Sequence, residues 1–493
     1  MKNISKIAAV SIILAILTSC TKGWEDLNTN PNATVDVPAS NILTFVERSI
    51  SGSFFDVWNI GNNTDTYANH MTKIQYIDES RYNERDGIIN DRWSNIIHYQ
   101  VDLNKIIKKS TVVGSENDAM VGVSKVLSAF MWIIMTDTWG AIPFTEGAQG
   151  EEGILQPKYD TQQSVYNALL TMLDEANTLL ASGKGTLAGD VMYDNDVLQW
   201  QKFANSLRMR VAIRMSNVDP TTSKSVLTTI LGSPATYPIM IANEDMAAFT
   251  WLETTWREPF AEDKISRDDH GMCDVFINAL LHTNDPRIGE FAHPAASDGI
   301  YRGIPAGASS SFSFYLKDIS RIGTRYRDIF TGKTYLMRYP EVEFIIAESY
   351  ARADLLNDPV KAQTAYEAGV AASCTEHGVS AGDITTYMAD ANVAWNGAGD
   401  WGYTNLNKIY YQKWVSLFKQ GHEAWAETRR TDIPQLTAAP GSTYTGHNRP
   451  PFRWPYPVDE YNLNPLEPPK WDSNVVDRFW GDKMWWDTRT GVN

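Results

Sequence analysis

Apolar residues recur every three or four positions through long stretches of this chain. Ile96, Tyr99, Leu103, Ile106 and Ile107 form one stripe, and Val165, Leu169, Met172, Leu173, Ala176 and Leu180 form a second. Phe203, Ala204, Leu207, Val211, Ala212 and Met215 repeat the spacing, as do Val342, Ile345, Ile346, Ser349, Tyr350 and Ala353, and then Leu406, Ile409, Tyr410, Leu417 and Phe418. This period places each set on one face of an α-helix, whereas a strand would alternate every second residue. The predicted helices fall into antiparallel pairs: 88–109 with 117–136, 161–181 with 196–216, 340–357 with 359–377, and 404–420 with 422–430. Stacked pairs of this kind make a solenoid-like scaffold, although no tetratricopeptide consensus is present.

Two stretches break the pattern. Residues 217–339 are rich in Gly, Pro, Ser and aromatic residues and predict an irregular, loop-rich insertion, the kind of segment that carries function on a rigid body. The tail 438–493 opens with eight prolines between Ala438 and Pro469, including those of Arg453-Trp454-Pro455-Tyr456-Pro457, and predicts extended chain packed over the helices. No long charged or low-complexity linker separates these parts, so 41–493 reads as a single body. Within it the helix-pair scaffold occupies about 88–216 and 340–437.

The first residues are a different kind of segment. Lys2 and Lys6 precede an apolar run from Ile7 to Leu17, then Thr18, Ser19 and Cys20, which is the pattern of a signal peptide (1–19) ending at a lipid-accepting cysteine. The run is too short to span a bilayer, which needs roughly 20 apolar residues. Residues 20–40, with Asn28, Asn30, Pro31, Asn32 and Pro38, then read as a lipidated tether. The expected product is exported and membrane-anchored without crossing the membrane.

Charge and motif checks remove most other classes. A formal net charge of −16 with no Lys/Arg block excludes a nucleic-acid partner. Besides Cys20 there are only Cys273 and Cys374, expected as buried free thiols. Gly397-Ala398-Gly399-Asp400-Trp401-Gly402 fits a dinucleotide fingerprint in letters only, because no buried strand precedes it and a carboxylate and an indole stand where pyrophosphate must approach the backbone. Gly332-Lys333-Thr334 lacks the earlier P-loop glycine, where Arg327 stands, and His422-Glu423 lacks the second zincin histidine, where Ala426 stands. Neither a cofactor nor a metal is expected. Glu423 and Glu427 beside Arg429 and Arg430 read as an ion-pair network fixing helix packing.

Four blocks in order resemble a known family. They are Thr136-Asp137-Thr138-Trp139-Gly140-Ala141-Ile142-Pro143-Phe144, then Arg338-Tyr339-Pro340-Glu341 running to Glu348, then Gln412-Lys413-Trp414 continuing to His422-Glu423-Ala424-Trp425 and Arg429-Arg430, and Arg453 to Pro457. With Asp285-Pro286-Arg287 and Trp485-Trp486-Asp487, they make the chain similar to the SusD/RagB nutrient-binding outer-membrane lipoproteins, in the second SusD-like branch. The resemblance implies a mostly α fold with a tetratricopeptide-like helix-pair scaffold and an irregular loop-rich ligand-binding subdomain. It also implies capture of oligosaccharides at the outer membrane, on the cell surface, for delivery to a TonB-dependent transporter, with no catalysis. An oligopeptide ligand is the first alternative; a lipoprotein glycoside hydrolase and a purely structural surface protein are the others.

In such a family the ligand residues come from loops before the first helix pair and from the insertion. The first region offers Tyr67, His70, Tyr76, Arg81 and Tyr82; the second offers Trp251, Trp256, Arg257, Asp268, Asp269, His270 and Tyr301. Sugars present an apolar C–H face and a rim of hydroxyls, so a site needs rings to stack on and Asp or Arg to bond the rim. Trp251 and Trp256, flanked by Glu253, Arg257 and Glu258, are the leading pair, and core packing is the competing role for every ring.

Overall fold

The computed structural model describes residues 36–309, 312–468 and 478–493; the signal peptide, Cys20 and most of the tether lie outside them. The first helix, α1 (Ala39–Ser53), leads into a π-helical turn, Val57–Thr64, and then a short strand, β1 (Met71–Lys73). The scaffold starts with α2 (Asp86–Ser110) and α3 (Asp118–Trp139), followed by α4 (Gln162–Ala181), α5 (Val197–Met215) and α6 (Pro220–Gly232). Each forms where the apolar period predicts, except α6, which lies inside the stretch read as irregular. There Asp219 caps the helix through Thr222 N and Pro220 occupies the first turn, a start signal that extends the scaffold by one more helix against α5.

Packing explains the composition of these helices. α2 buries Ile89, Trp93, Ile96, Leu103 and Ile106 along one face. α3 is apolar all round because α2, α4 and α5 all contact it, so its membrane-like hydropathy reflects a central position in the body. Gly122 lets α4 approach: a Cβ there would lie 2.7 Å from Leu180 Cγ.

The insertion holds β2 (Ala247–Thr250), α7 (Pro259–Ser266), β3 (His270–Met272), α8 (Asp274–His282), α9 (Ile288–Phe291), β4 (Ala292–His293), β5 (Arg321–Ile322), α10 (Thr324–Arg327) and β6 (Lys333–Met337). Its strands make three small antiparallel ladders, β1 with β3, β2 with β6, and β4 with β5. The chain then returns to the scaffold with α11 (Tyr339–Ala351), α12 (Pro359–Glu376), α13 (Ala381–Met388), α14 (Asn405–Ser416) and α15 (Gly421–Thr431), and ends with α16 (Val458–Leu463) and the tail. α11 packs on α12 on one side and on α5 and α14 on others, which joins the two halves of the scaffold.

At that junction the core is charged. Arg210 makes a two-pronged pair with Glu341 (2.7 and 2.6 Å), Arg430 makes another with Glu348 (2.6 Å twice), and Glu427 takes Arg430 (2.8 Å) and Lys413 (3.2 Å). Glu423 pairs with Arg214, which also reaches Asp137 (3.3 Å). Glu423 and Glu427 therefore do belong to an ion-pair network, but Arg429 does not belong with them. Its guanidinium lies 3.6 Å over the Trp425 ring and donates to the carbonyls of Asp137 (2.8 Å) and Phe452 (2.7 Å). Buried pairs gain little net stability over apolar packing, yet they penalise any arrangement that leaves a charge alone, which fits helices brought together from distant parts of the chain.

The tail closes this layer through indole donors. Trp139 Nε1 donates to Pro455 O (2.9 Å), Trp425 Nε1 to Pro451 O (2.8 Å), and Trp486 Nε1 to Asp137 Oδ1 (2.9 Å). Proline interrupts helix and strand pairing, so the extended chain around these residues leaves carbonyls free for such bonds. Cys273 and Cys374 are buried free thiols.

Candidate functional site

The C-terminal turn of α1, the π-helical turn and α7 enclose an open cleft of about 370 Å³. A void between Asp137, Arg210 and Glu423 has about 20 Å³, room for a single water and too small for a nutrient. Arg48, Gly52, Asp56, Trp58, Trp251, Arg257, Glu262 and Asp263 line the cleft. Its volume falls in the lower part of the roughly 300–1,000 Å³ range of small-ligand sites.

Local hydrogen bonds fix these residues. Asp56 caps the π-helical turn, its Oδ1 accepting from Asn59 N (2.7 Å) and Nδ2 (2.8 Å). The Trp58 carbonyl accepts from Asn63 Nδ2 (2.9 Å) and from Arg92, so the backbone carrying this indole is held from two sides. The Trp58 ring itself faces Arg85 at 5.5 Å and Lys73 at 5.8 Å. Opposite, the loop 251–258 is tied at both ends, Trp251 N to Gly332 O (3.0 Å) and Glu258 N to Phe330 O (2.9 Å), and closed by Leu252 N to Trp256 O (2.6 Å). Glu258 then caps α7 at Phe260 N and Ala261 N (3.0 Å each) and pairs with Lys419 (2.6 Å). Arg257 stacks on Phe330 at 4.4 Å and pairs with Glu262 (3.1 Å), and Arg48 leans over Trp256 at 5.8 Å.

The two candidate regions, almost 200 residues apart in sequence, meet through the β1–β3 ladder, where Lys73 stands opposite His270. Of the residues singled out from the sequence, Arg257 lines the cleft and Trp256 flanks it beneath Arg48. Trp251 is a wall rather than a platform: it is 2% exposed, its Nε1 donates to Thr334 Oγ1 (2.9 Å), and its ring sits under Gly52. Tyr76 is 67% exposed, just beyond the end of α7, with the Arg267 guanidinium 4.8 Å over its ring. Its φ of +49° is strained for a bulky side chain.

The remaining candidates do not line this cleft. Tyr67 is buried between Tyr82 and Trp425, and the Tyr82 hydroxyl accepts from Ala439 N (2.8 Å). His70 is buried between Asp65 (3.3 Å) and the Trp414 carbonyl (3.0 Å). Burial and nearby cations push His270 down to about 3, so it is neutral and bonds Asn62 Oδ1 (2.9 Å). These four are core residues, out of a ligand's reach. Asp268 is taken by Arg321 (2.7 Å) and Arg327 (2.8 Å), Asp269 by Arg267 (2.7 Å), and Arg81 donates to Ala308 O (2.9 Å). Tyr301 is half-buried against the core away from the cleft.

Sequence reasoning missed Arg48, Asp56, Trp58, Glu262 and Asp263. A signal for Trp58 was present, an indole set among Asp56, Asn59, Asn62 and Asn63. The Asp263 carboxylate accepts no side-chain hydrogen bond and makes no ion pair among the described residues; burial and repulsion from Asp269 and Asp56 outweigh the attraction of Arg267 and Lys73 and push it up to about 6. Burial also raises Asp56. Among the described residues no group of three or more side chains converges as a metal site. The cleft can stack on an indole and accept and donate hydrogen bonds.

Comparison with known proteins agrees with this architecture. Solved structures with the same fold include a chitin-binding protein (TM-score 0.77, 22% identity, covering 92% of this chain and 100% of that one). They also include a chitin-binding SusD homologue from Flavobacterium johnsoniae (0.75, 23%, 92% and 99%) and a SusD homologue from Bacteroides thetaiotaomicron (0.77, 20%, 92% and 100%). No curated protein matches the sequence significantly. Residues 31–457 match the second SusD-like family, described as starch-binding and associating with the outer membrane, and the chain belongs to that family.

Proposed function

We propose that this protein is a lipid-anchored, surface-exposed binding protein that captures oligosaccharides in the cleft between α1, the π-helical turn and α7, and passes them to a TonB-dependent outer-membrane transporter. The observation that carries the reading is the cleft itself: an open, preformed recess joining the indole of Trp58 to the polar groups of Arg48, Asp56, Arg257 and Asp263. That combination suits a ligand with apolar faces and a hydroxyl rim. The family description, and the chitin-binding names of two structural neighbours, favour a glycan over a peptide. Binding needs no chemistry, so the protein works by stacking and hydrogen bonds alone. Cys20 supplies the anchor, and the chain from there to α1 is the link between lipid and body.

The test is calorimetric titration of the purified protein with chitin, starch and other glycan oligomers and with a peptide panel, alongside Trp58→Ala. Saturable binding of one glycan class, weakened about ten-fold or more by Trp58→Ala, is expected; loss of a stacked ring costs roughly 1–2 kcal/mol. Glycan binding unaffected by that change would move the site elsewhere. Turnover of any oligomer would remove the non-catalytic reading.

A further inference from the structure

Charge inside the cleft is unevenly spent. Arg257 and Glu262 satisfy each other at 3.1 Å, and Arg257 Nε also donates to Glu253 O (2.9 Å). The cations on the adjoining wall are committed as well, Lys73 to Glu79 (2.8 Å) and Arg267 to Asp269 (2.7 Å). Arg48 lies over Trp256. What remains is Arg48, without an ion pair among the described residues, and a pair of carboxylates facing the same space. Asp56 uses Oδ1 to cap the π-helical turn, and the Asp263 carboxylate accepts no hydrogen bond and makes no ion pair among the described residues, Arg267 and Lys73 acting on it only from longer range.

We infer that the cleft prefers a glycan bearing a protonated amine, a partly or fully deacetylated amino-sugar oligomer, with the ammonium group held by Asp263 and Asp56 beside Trp58. This rests on the glycan-binding reading above and narrows it. Both carboxyls are held above their ordinary range, chiefly by burial and, for Asp263, by Asp269 and Asp56 as well, so the empty cleft keeps like charges close together. An ammonium group relieves that repulsion and supplies the donor that the Asp263 carboxylate lacks, whereas a neutral hydroxyl supplies a donor only. A metal ion is the poorer occupant, since no third ligating side chain converges with them among the described residues. Arg48 limits the preference to one positive charge per bound unit and leaves a donor for a ring hydroxyl.

The experiment compares three tetrasaccharides on the unaltered protein: glucosamine, N-acetylglucosamine and glucose, each β-1,4-linked, with tetralysine as a fourth ligand. The glucosamine oligomer should bind about ten-fold or more tightly than the other two sugars, the margin of one charge-assisted hydrogen bond. Asp263→Asn, checked for folding by its thermal transition, should erase the margin of the glucosamine oligomer over the neutral sugars. Equal affinities for the three sugars would overturn this inference and leave the glycan-binding function standing. Binding of tetralysine with no sugar bound, or no binding at all, would overturn both.

Discussion

Replacing Asp263 by Asn should make this protein more stable at neutral pH, although it removes a charged residue from a cleft wall. The carboxyl's folded-state value is raised from 3.8 to about 6 by burial and by Asp269 and Asp56. A raised carboxylate value means that the ionised form is penalised on folding. The penalty is full above about pH 6, declines as the folded protein takes up a proton between about 6 and 3.8, and is gone once the unfolded chain is protonated too. The full conversion at 1.36 kcal/mol per pH unit gives about 3 kcal/mol. Because the side chain is only half-buried, water screens much of this, and about 1 kcal/mol is the expected gain. Urea denaturation of parent and Asp263→Asn at pH 7.5 and pH 5 measures it: the variant should be the more stable at pH 7.5, with the advantage about halved at pH 5. A variant less stable than the parent at pH 7.5, or an advantage that grows on acidification, would refute the assignment of Asp263 as an unpaired, repelled carboxylate.

Arg430→Met should cost about 3–5 kcal/mol in urea denaturation, because Glu348 and Glu427 lose their closest buried cation. Trp251→Ala should cost about 3–5 kcal/mol as a core truncation, whereas the half-buried Trp256→Ala should cost about 1 kcal/mol or less and show its effect in titrations of ligand. Gly122→Val should cost about 1–3 kcal/mol in the same denaturation, since the new side chain meets Leu180 at the α3–α4 contact.

The sequence by itself determined the scaffold. Helical periodicity and capping are local, so the stripes through 96–107, 165–180 and 203–215 specified α2, α4 and α5, and the same logic gave α11 and α14. It also indicated that Glu423 and Glu427 belong to an ion-pair network, since they share one helical face beside Arg429 and Arg430. Tertiary structure decided which cations join it: Arg210, Arg214 and Lys413 come from other helices, and Arg429, the neighbour in sequence, turns instead to Trp425 and two carbonyls. It also decided which rings are available. Tyr67, Tyr82 and Trp251 look like Trp58 and Trp256 in a sequence, each an aromatic set in polar, loop-like chain. Whether such a ring is wall or platform depends on what arrives from far away, Trp425 and Ala439 for the tyrosines and Thr334 for Trp251, and that information is in the packing of the chain and in no local pattern.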